Sequence, residues 1–249
     1  MAYSSGRSLV GNVAIITGAG RGAGRAIALR LAAAGMRIVA VALTPAHVEA
    51  VAAEIARMGG ECEPVAADVS READVRRMTD RALARFGRID VLVNNAGIGL
   101  RASVAEMALS DWERVLATNL TGVFLCSREV LPAMRRQGGG VIINISSGAG
   151  KQGYPMMAAY CASKFGLMGF AQALAAEVSD EHIKVCTITP GTMVTEFGGV
   201  TPQERAARNP EAKVLFPDDL ADAVLYLLQQ SHHAWTQEMS LWPFARYSE

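Results

Sequence analysis

The sequence predicts a doubly wound α/β fold built on one parallel sheet, with helices on both faces. Three observations predict it. Short β-branched runs alternate with longer helical patterns, and this β-α-β-α order suits parallel strands, whose neighbours need long crossover connections. The strand runs are almost wholly apolar rather than alternating, as expected of strands covered on both faces. A glycine-rich turn, Thr17-Gly18-Ala19-Gly20-Arg21-Gly22-Ala23-Gly24, separates the first run from the first helix.

Val13 to Ile16 reads as the first strand, followed by an alanine-rich helix ending near Gly35. Arg37 to Ala42 is the second strand, and Pro45 to Arg57 a helix whose first turn suits the proline. Glu63 to Ala67 leads through Asp68 into a helix from about Arg71 to Arg85, and Ile89 to Val93 is strand four. Ser110 to Arg136 reads as one long helix, capped by Ser110 with Glu113 completing a capping box. Val141 to Ile145, a helix over Ala158 to Val178, Lys184 to Thr189 and a helix from about Leu220 to Gln229 complete the pattern. No repeat, low-complexity tract or linker divides the chain, so a single domain over residues 1–249 is expected.

Composition narrows the function. The 249 residues carry 24 basic and 24 acidic side chains, so no basic excess supports nucleic-acid binding. Half the chain (51%) is apolar and only 19% is charged, which excludes intrinsic disorder. The N-terminus lacks the apolar core of a signal peptide, and no apolar run approaches the ~18 residues of a membrane span. Cys62, Cys126, Cys161 and Cys186 are widely spaced, without metal-ligand spacing. The reading is a cytoplasmic protein with free thiols, no metal and no membrane or nucleic-acid partner.

The glycine turn, placed between a strand and a helix, has the context of a dinucleotide site. Gly18 permits a sharp turn, Gly22 close approach of backbone to a phosphate, and Gly24 tight helix–strand packing. Gly18, Gly20, Arg21, Gly22 and Ala23 would cradle the pyrophosphate at the helix N-terminus. An NAD site usually carries an acid at the end of strand two, yet here Val41-Ala42-Leu43-Thr44 has none. Without that repulsion at Ala42 and Leu43, and with Arg21 able to pair with a 2′-phosphate, NADP(H) is favoured and NAD(H) remains possible.

Tyr160 and Lys164 are four residues apart in a helical stretch, so they share a face. An ammonium beside a phenol lowers the phenol's pKa from its usual ~10, towards proton exchange with a carbonyl or alcohol oxygen. A serine at the end of strand five would lie where open α/β sheets place their ligand crevice. Asn119 is polar within an apolar stretch and needs buried partners.

Together with Asn94-Asn95-Ala96-Gly97, Ser147, Tyr160-Cys161-Ala162-Ser163-Lys164 and Pro190-Gly191-Thr192-Met193-Val194-Thr195, the glycine turn resembles the short-chain dehydrogenase/reductase family over about Val10 to Gln230. The end of strand two is similar to that of its 3-oxoacyl-carrier-protein reductases. The resemblance selects Ser147 over Ser146, because the family leaves twelve residues between serine and tyrosine. It implies Ser147 and Tyr160 on the substrate oxygen, Lys164 on the nicotinamide ribose, and Asn119 holding a water that links the lysine to solvent. It further implies Asp68 and Val69 at the adenine, and Asn95, Ala96 and Gly97 along the adenosine ribose and diphosphate. Pro190, Gly191, Val194 and Thr195 would border the nicotinamide. The implied activity is hydride transfer between the cofactor and a ketone or aldehyde, giving an alcohol, or the reverse. An NAD-dependent alcohol dehydrogenase and a non-catalytic dinucleotide sensor are the competing readings.

The segment at about 192–217, with Gly198, Gly199, Pro202, Pro210 and a helical patch around 204–208, is expected to cover the substrate. Met156 and Met157 are candidates for an apolar pocket or for core. The stretch from Trp235 to Phe244 departs from the family: Gln237 stands in place of a glycine and no G-G pair follows, although Glu238 to Trp242 still suits a strand. A homo-oligomer, dimer or tetramer, is expected, with the apolar tail (Trp235, Leu241, Trp242, Phe244, Tyr247) available for burial.

Overall fold

The computed structural model describes residues 8–197, 201, 204, 207 and 211–245. Seven strands form one parallel sheet: β1 (Val13–Thr17), β2 (Arg37–Ala42), β3 (Cys62–Ala66), β4 (Val91–Asn94), β5 (Gly140–Ile145), β6 (Ile183–Pro190) and β7 (Glu238–Leu241). Their order is β3-β2-β1-β4-β5-β6-β7. The order reverses between β1 and β4, and a doubly wound sheet opens its ligand crevice beyond the C-terminal ends of the strands there. The last strand forms despite the departure from the family pattern, running parallel to β6 with Thr187 opposite Glu238.

Successive residues of the inner strands face opposite layers, and both layers are buried. Ala14 and Ile16 pack with α1 (Gly22–Ala33), α2 (Pro45–Arg57) and α7 (Pro217–Gln229). Val13 and Ile15 pack with α3 (Glu72–Phe86), α5 (Gly122–Arg136) and α6 (Ala158–Glu177). This explains why the strand runs carry no polar alternation.

Three polar devices hold the centre of the sheet in register. Buried Asp90 accepts from the Val13 amide at 2.9 Å and takes the Arg88 guanidinium on both oxygens at 2.8 and 2.6 Å. Asn94 donates to Asn144 across the β4–β5 pair at 2.9 Å and to Ser127 of α5 at 3.2 Å. The Trp235 indole, packed against both layers, donates to the Val185 carbonyl at 3.0 Å. A buried polar pair of this kind penalises any slip that would separate its members.

The expected single helix over Ser110 to Arg136 is corrected. The segment comprises α4 (Leu109–Leu116), a π-helical turn (Ala117–Thr121) and α5. Its N-cap is Ala108 and no side chain caps it, so Ser110 lies inside the first turn and there is no capping box. The wider turn accommodates Asn119, whose side chain is spent on partners outside the helix, and π-turns commonly mark functional positions.

All four cysteines are free, and burial pushes the Cys62 thiol up to about 11 and those of Cys126 and Cys186 up to about 12. Those three thiols are thereby held protonated, as poor nucleophiles. Among the described residues no helix is long and apolar enough to cross a membrane, and no cluster of three metal-ligating side chains occurs.

Candidate active site

The glycine turn is a backbone construction at the mouth of β1. Gly18 and Gly22 adopt left-handed φ of 67° and 51°, which only glycine takes without strain. Gly24 is dictated by space: a methyl there would stand 2.1 Å from the Gly18 carbonyl oxygen and 2.5 Å from the Asn95 amide nitrogen. The Ala19 amide donates to Val41 of β2 at 2.9 Å, tying the turn to the second strand. Just past the end of β4, Asn95 braces the turn. Its side chain donates to the Thr17 carbonyl at 2.9 Å, while its own amide and that of Ala96 donate to the Thr17 hydroxyl at 3.0 Å each. Helix α1 begins at Gly22 without a side-chain cap or an acidic residue in its first turn, leaving amide donors and a positive dipole end facing the crevice. This open cradle fits a dinucleotide pyrophosphate.

Beyond the turn lies a corner made by Gly20, Ala42 and His47. A methyl on Gly20 would meet the His47 Cβ at 2.8 Å and the Ala42 methyl at 3.2 Å. Leu43 is exposed beside it. Arg21 leans the other way: its guanidinium pairs with the Glu196 carboxylate at 3.0 Å. Asp68 sits past β3 in a local turn, accepting from the Ser70 amide and hydroxyl at 2.9 and 2.7 Å. It does not cap α3, whose N-cap is Arg71. Val69 is buried against Gly122 at the start of α5, where a methyl would stand 2.9 Å from the valine Cγ2.

At the other end of the crevice the side chains matter. Ser147 follows β5, and its hydroxyl accepts from the Ala149 amide at 3.1 Å, starting a short 3-10 turn at Gly148–Gly150. Tyr160 and Lys164 share the buried face of α6. The Lys164 ammonium donates to the Ile145 carbonyl at 2.8 Å and lies 5.8 Å from the centre of the Tyr160 ring. The expectation that Lys164 lowers the tyrosine's pKa is corrected. Burial pushes the Tyr160 phenol up to about 12, with the Ser147 hydroxyl opposing the shift, and burial pulls Lys164 down to about 8. Burial shifts each group towards its neutral form.

Asn119 is wholly buried, and both its polar atoms are partnered. Its oxygen accepts from the Ile98 amide at 2.8 Å, and its nitrogen donates to the Ile98 carbonyl at 2.9 Å and to the Ser163 hydroxyl at 3.0 Å. Ser163 in turn donates to the Tyr160 carbonyl at 2.7 Å. Asn119 therefore fastens the loop after β4, including Gly97, to the helix bearing the tyrosine.

The start of the covering segment closes over this arrangement. Pro190 ends β6, Gly191 donates to Leu241 at 2.8 Å, and the Val194 amide donates to Leu215 at 2.8 Å. Thr195 stands across the crevice from the glycine turn, where a methyl on Gly22 would lie 3.5 Å from its Cγ2. Phe197 tilts over Tyr160 with ring centres 5.5 Å apart, in space that Gly99 leaves free. Gly198, Gly199, Pro202, Pro210 and most of the 204–208 patch lie outside the described residues, as does Tyr247 of the tail. Met157 packs with Ala149, Tyr160 and Cys161, whereas Met156 is exposed at a left-handed φ of 65°.

Sequence reasoning missed Ser163, Glu196, Phe197 and His47. Ser163 stood within the quoted motif, but its partner Asn119 is 44 residues away. Glu196 and Phe197 belong to an irregular segment without periodicity. Gly99, which would place a methyl 2.5 Å from Phe197, was the available hint.

The family description "short chain dehydrogenase" matches residues 12–206. The chain belongs to the short-chain dehydrogenase family. This short-chain dehydrogenase is 40% identical to a D-threitol dehydrogenase of Mycolicibacterium smegmatis, over 88% of its own length and 86% of the relative's. It is 44% identical to a 3-oxoacyl-[acyl-carrier-protein] reductase of Synechocystis sp., over 76% and 77% of the two chains. A crystal structure of a metagenomic short-chain oxidoreductase in complex with NADP superposes with a TM-score of 0.84 at 36% identity, covering 96% of this dehydrogenase and all of that chain. The fold and the oxidoreductase family of this dehydrogenase follow from these likenesses.

Proposed function

We propose that this short-chain dehydrogenase is an NADP(H)-dependent oxidoreductase interconverting a ketone or aldehyde and the corresponding alcohol. The observation that carries the reading is the corner where half-buried Ser147 meets buried Tyr160 and Lys164, facing the crevice that begins at the glycine turn. The bound dinucleotide supplies or accepts the hydride. Gly18, Gly20, Gly22 and Ala23 hold its pyrophosphate, Arg21, Ala42 and Leu43 border the adenosine ribose, and Asp68 and Val69 lie at the adenine. Ala96 and Gly97 line its path, Pro190, Gly191, Val194 and Thr195 border the nicotinamide, and Lys164 holds the adjoining ribose.

A phenol pushed up to about 12 rests protonated, so Tyr160 is poised to give its proton to a substrate oxygen as charge develops there. Ser147 orients that oxygen by hydrogen bonding. Lys164, pulled down to about 8, gives up a proton near neutral pH more readily than an ordinary lysine, and it stands 5.8 Å from the centre of the Tyr160 ring. Asn119 is a positioning residue acting through Ile98 and Ser163. Two relatives are named for a tetritol and for a 3-oxoacyl-[acyl-carrier-protein], which supports a substrate that interconverts carbonyl and alcohol. The neighbour's NADP complex supports the phosphorylated dinucleotide. The Arg21–Glu196 pair favours a second reading, NAD(H) use, because it occupies the predicted phosphate contact.

Tyr160→Phe tests the central claim. Turnover of any ketone reduced by the wild type should fall about 10²- to 10⁴-fold, the range of general acid catalysis, with dinucleotide affinity and Tm unchanged. Undiminished turnover would remove Tyr160 as the proton donor.

A further inference from the structure

The pairing of Arg21 has a consequence for cofactor choice. The corner that would receive a phosphate on the adenosine ribose contains Gly20, Ala42, His47 and the exposed Leu43, none of them acidic. The first turns of α1 and α2 carry no acidic residue either. Glu54, further along α2, is engaged on both oxygens by Arg25 at 2.6 and 2.7 Å. The carboxylate found on Arg21 comes instead from the covering segment: Glu196, through a single contact of 3.0 Å with its partners 64% and 52% exposed. Glu196 lies between Thr195, which faces the glycine turn, and Phe197, which rests against Tyr160.

We propose that Glu196 is a specificity-determining residue that competes with the ribose 2′-phosphate of the dinucleotide for Arg21, moderating the preference for NADP(H) over NAD(H). The inference rests on the NADP(H) reading above. A phosphate presents more charge than a carboxylate and can engage both arms of the guanidinium fork, so it displaces a monodentate, solvent-exposed partner. A dinucleotide without that phosphate leaves the pair intact. The acid that many dehydrogenases of this architecture carry at the end of strand two is thus replaced in part by one on the segment over the substrate. Selection against the phosphate then depends on where that segment stands.

The test is a double-mutant cycle read by calorimetric titration of NADPH and of NADH into wild type, Glu196→Gln, Arg21→Gln and the double variant. Glu196→Gln should tighten NADPH binding about two- to fivefold, the range of an exposed ion pair, and leave NADH unchanged. In the Arg21→Gln background the same change should do nothing. Unchanged or weaker NADPH binding in Glu196→Gln overturns the proposal. So does an equal gain for both dinucleotides, or a gain that persists without Arg21, because each would mean general electrostatics rather than competition. A wild type preferring NADH would sink the NADP(H) reading alone, with the cycle still reporting on Glu196. Failure of the wild type to bind either dinucleotide would sink both.

Discussion

At the β1–α1 end of the crevice the shape is set by backbone: glycines in left-handed conformations, amides without side-chain caps, and a carbonyl pressed against Gly24. At the β5–α6 end it is set by side chains that burial drives towards neutrality and that a segment from elsewhere in the chain covers. A binding surface made of main chain tolerates no added atom but requires no tuning of charge. A reacting surface made of side chains tolerates shape changes better, yet depends on the hydration of each group. The two ends should therefore fail in different ways when perturbed.

The largest effect should come from Gly24→Ala. Its methyl meets main chain on one side and Asn95 on the other, so the cost should be at least ~3 kcal/mol, a Tm fall of about 6–12 °C, with dinucleotide binding lost as well. Thermal melts with and without NADPH check this, and a variant melting like the wild type would show that the turn can yield.

Next comes a pH effect confined to the other end. Lys164 falls from an ordinary 10.5 to about 8 on folding, so between those values the unfolded chain holds the extra proton and stability rises with pH. The penalty of about 3 kcal/mol is fully present below pH 8 and is relieved as the pH approaches 10.5. Urea unfolding of wild type against Lys164→Met from pH 7 to 10 should show the wild type gaining on the variant as pH rises. Parallel curves would mean that the ammonium is better hydrated than its burial implies.

Asn119→Ala should cost ~2–3 kcal/mol by stranding the Ile98 main-chain groups and the Ser163 hydroxyl. Because it joins the loop after β4 to α6, it should lower kcat more than it weakens dinucleotide binding, which steady-state kinetics and titration separate. Smallest of all, Phe197→Ala should raise KM several-fold with kcat nearly constant, because it removes contact over Tyr160 without touching a proton. A kcat loss as large as that of Asn119→Ala would place the ring in the proton-transfer geometry itself.

The same division explains what was legible beforehand. The glycine turn and strands β1, β2, β5 and β6 could be read locally, since spacing and continuous apolarity dictate them within a few residues. Helix α4 was misread because Ser110 and Glu113 imitate a cap that Ala108 provides by backbone alone. The direction of the Tyr160 shift was misread because spacing shows that Lys164 is near and says nothing of how dry both are. Glu196 and Phe197 stayed hidden because an irregular segment acquires its partners only through tertiary contact, Arg21 being 175 residues from Glu196.

The brace that Asn95 places under the glycine turn also sets a timetable. Thr17 and its partner Asn95 are 78 residues apart, so at roughly 5–20 residues per second a ribosome needs about 4–16 s to deliver the second after the first. Asp90, which anchors the Val13 amide, arrives 77 residues behind its partner. Throughout that interval the nascent β1, the glycine turn and α1 lack the hydrogen bonds that Asp90, Asn95 and Ala96 supply, so the turn is braced only once β4 has been translated and paired. The braced shape of the turn is therefore a late product of the chain, set by a strand translated well after it.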